Sequence, residues 1–313
     1  MIKYIKYWLP KTLAFLSIVF FARYVLKHIH AIPLIHLNLF TFMIFGISVL
    51  LIMFGIILAG WVWQLLLKDC DTKMSFIHAQ IIFSISQFGK YLPGNIGQFL
   101  GRFMMAKKMN VSNWIVANTM LIEIIWTLAV AIFLGSLSLF IYQVNWISFL
   151  PQLNFLSILF LGVTIFSSPW VGIHLLNKYF SHLLYRISGV KKLSAPQFVT
   201  ALSVVLLLTT CFLIIGSVLK LQAEFLFHSN RGGLFELSCL FPLAWLAGYI
   251  IPGSPAGIGI REVMMVLILS PVLGSGVATG LSLSLRITTV IAEFLSLLVG
   301  VYLKHKFPLK PIK

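Results

Sequence analysis

Long apolar runs fill most of this chain and constrain its fold more than any other feature. Each run is about as long as, or longer than, the roughly 20 residues that an α-helix needs to cross the hydrocarbon core of a bilayer. Inside a bilayer every backbone polar group needs an internal partner, so the runs predict helices and not irregular structure. The predicted spans are 8–26, 38–67, 75–92, 112–142, 154–176, 196–220, 234–251 and 276–303.

Composition indicates one integral membrane domain over residues 1–313. Hydrophobic residues make up 60% of the chain and charged residues only 10%, whereas about a quarter of a soluble domain is charged. The fold class predicted is therefore an all-α polytopic membrane protein. The formal net charge of +16 comes from Lys and Arg, which cluster beside the spans. This is a topology signal and does not indicate a nucleic-acid-binding surface.

Two shorter apolar pieces, 93–108 and 252–274, follow the third and seventh spans, and each begins with a proline and glycine cluster. If the first piece folds back as a re-entrant half-helix, Lys107 and Lys108 lie on the same side as the N-terminal lysines, as the positive-inside rule expects. The sequence thus predicts about eight transmembrane helices and two re-entrant half-helices. Both chain ends are expected in the cytoplasm, in a bacterial inner (plasma) membrane.

The two halves of the chain, about 1–150 and 151–313, resemble each other. In each half a Pro-Gly pair precedes an arginine by nine positions: Pro93-Gly94 before Arg102, and Pro252-Gly253 before Arg261. In the predicted topology the two half-helices enter from opposite sides, which makes an inverted repeat. Transporters with this plan commonly bind their substrate at the repeat interface near the midplane, on interrupted helices.

The two turn segments also resemble motifs of a known family. Residues 91–102 read YLPGNIGQFLGR and residues 251–262 read IPGSPAGIGIRE, and both are similar to motifs of the lysylphosphatidylglycerol synthase transmembrane region, a flippase-type domain family. Where the first family motif often has an acidic residue, this chain has Gln98. The full synthases add a soluble aminoacyl-transferase domain, for which this chain leaves no room. The resemblance therefore implies the role of the membrane domain alone.

The turns and the arginines after them are the predicted substrate-binding site. A half-helix that starts at the midplane presents free N–H groups and a positive dipole end, which bind phosphate or carboxylate. Glycine lets the backbone approach a ligand closely, and arginine binds phosphate through two nitrogens. Lys90 fits either this site or snorkelling to an interface. The predicted residues are Pro93, Gly94, Asn95, Gly97, Arg102, Gly253, Ser254, Gly257, Gly259, Arg261 and Arg286.

Three acids lie within apolar segments, and Glu123, Glu262 and Glu293 are therefore candidates for gating or ion coupling. Ser112 lies eleven positions before Glu123 and Ser275 eleven before Arg286, so Glu123 and Arg286 are equivalent in the repeat. We hypothesise that these two residues pair across the pseudo-twofold axis and close one side of the cavity. A salt bridge that only stabilises packing is the alternative.

The sequence favours a lipid flippase or transporter that binds an anionic phospholipid or polyprenyl-phosphate lipid. The alternative is a non-transporting membrane partner that presents such a lipid to a glycosyltransferase or lipid-modifying enzyme. A membrane-embedded enzyme is a third interpretation, but the sequence has no nucleophile–base or nucleotide-binding motif. His28, His30 and His36 have no cysteine or acid nearby, which argues against a metal site. We expect no catalytic residue, metal or cofactor.

Overall fold

The described part of the chain folds into helices without strands. The computed structural model describes Arg23, Leu26, Pro33 and Tyr185 and the ranges 38–91, 97–141, 155–182, 194–250 and 255–311. Two short 3-10 helices, Phe88–Tyr91 and Pro255–Gly257, follow α2 and precede α8. The α-helices are α1 Leu39–Asp69, α2 Phe76–Gln87, α3 Gly97–Lys107, α4 Asn113–Ile141, α5 Phe155–Tyr179, α6 Phe198–Phe225, α7 Leu234–Ile250, α8 Ile260–Leu273 and α9 Ser275–Lys306.

Five of these helices, α1, α4, α5, α6 and α9, are long and apolar enough to cross a membrane. They coincide with five of the eight predicted spans, and the all-helical membrane class is confirmed. The first predicted span, 8–26, lies outside the described residues except for Arg23 and Leu26. The predicted spans 75–92 and 234–251 contain shorter helices, since α2 has 12 residues and α7 has 17. Helix α7 ends two residues before Pro252, and α2 continues as the 3-10 helix Phe88–Tyr91, which ends two residues before Pro93. The ring of proline interrupts helical hydrogen bonding.

Polar residues within the apolar helices find partners in their own backbone. Asn38 caps α1, where its side-chain Oδ1 accepts a hydrogen bond from the Thr41 amide at 2.8 Å. The Ser48 hydroxyl donates to the Ile44 carbonyl one turn earlier at 2.8 Å, and several other serines and threonines do the same. Such bonds let hydroxyl groups lie in apolar surroundings without unmade hydrogen bonds.

One end of the bundle, which we name the basic end, joins α1, α2, α3, α4, α6 and α9. The Asp69 carboxylate of α1 accepts hydrogen bonds from the Gln197 amide at 2.8 Å and the Thr200 hydroxyl at 3.0 Å, so α1 ends where α6 begins. A buried cluster joins Met74 before α2 to Met109 after α3, and residues of α4 and α9 pack against it. The lysines at this end include Lys68, Lys73, Lys107, Lys108, Lys304 and Lys306.

The opposite end is marked by the start of α1 and the end of α6, where the rings of Phe40 and Phe225 lie 5.7 Å apart. The start of α9 also lies here, because a methyl group added at Gly280 would lie 2.4 Å from the ring of Phe227. Few basic residues lie at this end. Lys220 lies near the end of α6, and Arg231 lies in the connection between α6 and α7.

Helices α2 and α3 form an antiparallel hairpin that begins and ends at the basic end. The two helices approach closely, since a methyl group at Gly101 would lie 2.9 Å from Cβ of Ser86. Helices α7 and α8 form a second hairpin, which begins and ends at the opposite end. A methyl group at Gly232, before α7, would lie 3.1 Å from the Leu273 side chain at the end of α8.

The helices around the hairpins pair in a matching way. Helix α1 packs along α6, α2 packs along α9, and α4 packs along α7. The 3-10 helices Phe88–Tyr91 and Pro255–Gly257 contact each other. The inner ends of the two hairpins therefore meet inside the bundle.

Candidate functional site

A cavity of about 260 Å³ lies where the two hairpins meet, between helices α1, α4, α6 and α9. Ile52, Phe212 and Trp245 contribute to its apolar wall. The cavity is unusual for an apolar bundle because ionisable side chains also line it. These side chains are Lys90, Arg102, Glu123, Arg261 and Glu293.

Arg102 on α3 forms a two-pronged ion pair with Glu123 on α4. Nη1 lies 2.6 Å from Oε2, and Nη2 lies 3.2 Å from Oε1. Only 4% of Arg102 is exposed, and its guanidinium carbon lies 4.3 Å from the ring centre of Phe83 and 5.3 Å from that of Trp63. A planar guanidinium suits both contacts, since it binds carboxylates bidentately and stacks on aromatic faces. The charge of Arg102 is therefore balanced within the protein.

Arg261 and Arg286 share one carboxylate. Glu262 Oε1 lies 3.5 Å from Arg261 Nη2 and 3.4 Å from Arg286 Nη1. The other oxygen, Oε2, accepts a hydrogen bond from the Gly259 amide at 2.6 Å, at the start of α8. Within the described ranges, the Nη2 nitrogen of Arg286 is buried without a hydrogen-bond partner. This part of the site carries more positive than negative charge.

Glu293 on α9 is held by the inner end of the first hairpin. Lys90 Nζ donates to Oε1 at 2.5 Å, and the Tyr91 hydroxyl donates to Oε2 at 2.8 Å. The guanidinium of Arg286 lies over the ring of Tyr91, 5.6 Å from its centre. This contact links the cluster of Arg261, Arg286 and Glu262 to Glu293. Both oxygens of Glu293 thus bind donors from a different element.

The positive and negative charges of the ionisable side chains in this site do not cancel. The cations are Lys90, Arg102, Arg261 and Arg286, and the carboxylates are Glu123, Glu262 and Glu293. Four positive charges and three negative charges leave a net charge of one positive unit. A buried charge is costly unless it is paired, so the arrangement suits one further anionic group.

The structure brings the described part of the predicted site together. The cavity is lined by Arg102, Arg261, Glu123 and Glu293. Glu262 contacts both Arg261 and Arg286. Gly97 is the first residue of α3. Pro93, Gly94, Asn95, Gly253 and Ser254 lie outside the described residues.

The glycines before α8 have the conformation expected of them. Gly257 and Gly259 have φ values of +69° and +87°, in the left-handed region that glycine adopts without strain. The Gly259 amide, however, already donates to Glu262. Because this amide is already bonded, the positive charge available to a ligand at this site comes mainly from the arginine and lysine side chains.

The hypothesis that Glu123 pairs with Arg286 is wrong. Glu123 binds Arg102, and Arg286 contacts Glu262 instead. The reason is proximity within each half of the site, because α3 packs against α4 and α8 packs against α9. Each helix that begins at a turn thus presents its charged residue to the helix that follows it.

Several residues of the site escaped the sequence argument. Tyr91 binds Glu293, and its position beside Lys90, directly before the Pro-Gly turn, was the available signal. Phe83 and Trp63 cover Arg102 and had no distinguishing pattern. Trp245 and Tyr249 line the cavity with stacked rings whose centres are 4.9 Å apart, and their spacing of four residues on one helix face was the signal.

These features define a polytopic helical membrane protein with a cavity that is lined by ionisable side chains. The chain belongs to the family described as Lysylphosphatidylglycerol synthase TM region, which matches residues 9–298. The resemblance of the two turn motifs is therefore confirmed over most of the chain. In that family the transmembrane region is separate from the catalytic domain, and membership is consistent with a lipid-related role in the membrane. No curated protein matches the sequence.

Proposed function

We propose that this protein is a lipid transporter of the flippase type that binds a phosphate-bearing head-group in the cavity between the two hairpins. The observation that carries the proposal is the excess of positive over negative charge around the cavity, with Lys90, Arg102 and Arg261 on its wall. Ionisable residues at membrane depth usually face a substrate path. Arginine is well suited to phosphate because its planar fork binds two oxygens at once.

The net charge supports a phosphodiester head-group. Such a group carries one negative charge, which would balance the one positive unit of the site. The donors that we propose for it are the Arg286 nitrogen that lacks a partner among the described residues, the guanidinium of Arg261 and the ammonium of Lys90. The tails would remain in lipid, since only the polar head needs shelter from the hydrocarbon core.

The proposed topology is an inverted repeat, with halves of about 1–150 and 151–313. Its support is the pair of hairpins that start from opposite ends of the bundle and meet in the middle, together with the matching helix pairs. In this proposal α2–α3 and α7–α8 are re-entrant and do not cross the bilayer. Rocking of one repeat against the other would expose the cavity to each side in turn, with Glu123, Glu262 and Glu293 as gating or ion-coupling groups.

We infer that the basic end faces the cytoplasm of a bacterial inner membrane. Lysine predominates at that end, as the positive-inside rule requires of cytoplasmic loops. The same rule would put the opposite end of the bundle, with Lys220 on α6 and Arg231 before α7, outside. The C-terminal end of the chain would then be cytoplasmic, since Lys304 and Lys306 close α9 at the basic end. The N-terminal lysines Lys3, Lys6 and Lys11 predict the same side for the other chain end.

The test is lipid movement in liposomes that contain fluorescently labelled phosphatidylglycerol, measured by chemical quenching of the outer leaflet. We expect the wild-type protein to move the label and Arg261→Gln to slow it at least about tenfold, because a lost charged hydrogen bond to phosphate is on that scale. Arg231→Gln is the matched control, an exposed arginine away from the cavity, and should not change the rate.

Two other results would change the proposal. Movement that is unaffected by both Arg261→Gln and Arg286→Gln would mean that the cavity is not the head-group site. Binding of phosphatidylglycerol without any movement would instead favour the alternative function, a membrane partner that presents lipid to a glycosyltransferase or lipid-modifying enzyme.

A further inference from the structure

The three carboxylates of the site are held in different ways. Glu123 is paired bidentately with Arg102, and Glu262 binds the backbone at the start of α8. Glu293 is held only by side chains among its described contacts, Lys90 and Tyr91. If Glu123 left its contacts, the buried Arg102 would lose its carboxylate partner. If Glu262 left its contacts, the Gly259 amide at the start of α8 would lose its acceptor. Movement of Glu293 away from Lys90 and Tyr91 would disturb neither of these two contacts.

The surroundings of Glu293 are also those of an anion site. Its two oxygens accept from an ammonium and a phenol, and Arg286 lies on the face of that same Tyr91 ring. Glu293 and Arg261 line the same cavity as Lys90. A phosphate oxygen is an acceptor of the same kind as a carboxylate oxygen, so these donors would suit either group.

We propose that Glu293 is a built-in substitute for the anionic head-group. Its carboxylate accepts hydrogen bonds from Lys90 and Tyr91, and a bound phosphodiester would take its place on these donors. The inference rests on the proposed function, and it adds the residue that competes with the substrate. Glu293 would thus lower the affinity for lipid while giving Lys90 an anionic partner whenever no head-group is bound.

A purely structural role for Glu293 predicts the opposite change in lipid affinity when this residue is replaced. If the contact only fastens the first hairpin to α9, its loss should loosen the cavity and weaken binding. If Glu293 competes with the head-group, its loss should strengthen binding, because the donors are then free. The direction of the affinity change therefore separates the two roles.

The experiment measures binding of dihexanoyl-phosphatidylglycerol, a soluble phosphodiester lipid, to the purified full chain in detergent by titration calorimetry. We expect Glu293→Gln to bind at least about tenfold more tightly than wild type, the scale of one competing charged hydrogen bond. Glu293→Asp should also bind more tightly, by a smaller factor, since the shorter carboxylate reaches Lys90 less well. This second variant keeps the charge and serves if the glutamine variant does not fold.

The matched control is Glu224→Gln on α6. Glu224 also faces a lysine, with Lys220 Nζ 3.6 Å away, but its side chain is 39% exposed and does not line the cavity. Its substitution should leave binding unchanged. Weaker or equal binding by both Glu293 variants, with wild-type binding intact, would overturn the inference alone. Failure of the wild type and every variant to bind would overturn the proposed function and the inference with it.

Discussion

Breaking the Arg102–Glu123 ion pair from one side should destabilise the protein strongly. The pair is bidentate, with distances of 2.6 and 3.2 Å, and the side chains are only 5% and 15% exposed. Arg102→Gln or Glu123→Gln leaves the other charge buried without its partner, which costs about 3–5 kcal/mol. The double variant removes both charges and should cost clearly less than the sum of the two single changes.

The measurement is denaturant unfolding of the purified protein in mild detergent, followed by tryptophan fluorescence. The control pair is Lys220–Glu224, which is 3.6 Å apart and substantially exposed, and whose single substitutions should cost about 0.2–1 kcal/mol. Single changes at Arg102 or Glu123 that cost no more than this control would refute the reasoning. So would a double variant whose cost equals the sum.

Two further predictions concern packing and topology. Gly248→Ala should lower the midpoint of thermal unfolding in detergent, because its new methyl group would lie 2.8 Å from Cβ of Arg261 on α8. Gly172→Ala is the control and should leave the midpoint unchanged, because the space around Gly172 is open. Cysteines introduced singly at Lys73 and Lys107 should react with an impermeant thiol reagent from the same side of the membrane, and one at Lys220 from the other side. Reaction at Lys73 and Lys107 from opposite sides would rule out a re-entrant first hairpin.

The arrangement of buried charges explains why one part of the site could be predicted from the residues. A charged side chain inside an apolar run is costly wherever the helix packs. Arg102, Arg261, Arg286 and the three acids could therefore be predicted as candidate site residues without any knowledge of contacts. Lys90 was ambiguous, because a lysine near a turn can also reach an interface. Its contact with Glu293, 203 positions away in the chain, resolved that ambiguity.

The sequence by itself determined the helical membrane class, the positions of the long helices and the two proline-led interruptions. These properties are local, since apolar length, proline and the distribution of lysine act on each segment independently of its neighbours. The partners of the charges were decided by the tertiary structure alone. Which carboxylate meets which arginine depends on how each helix is rotated and on which helix lies beside it. The repeat made Glu123 and Arg286 equivalent but could not make them neighbours, because packing of α3 on α4 and of α8 on α9 supplied closer partners.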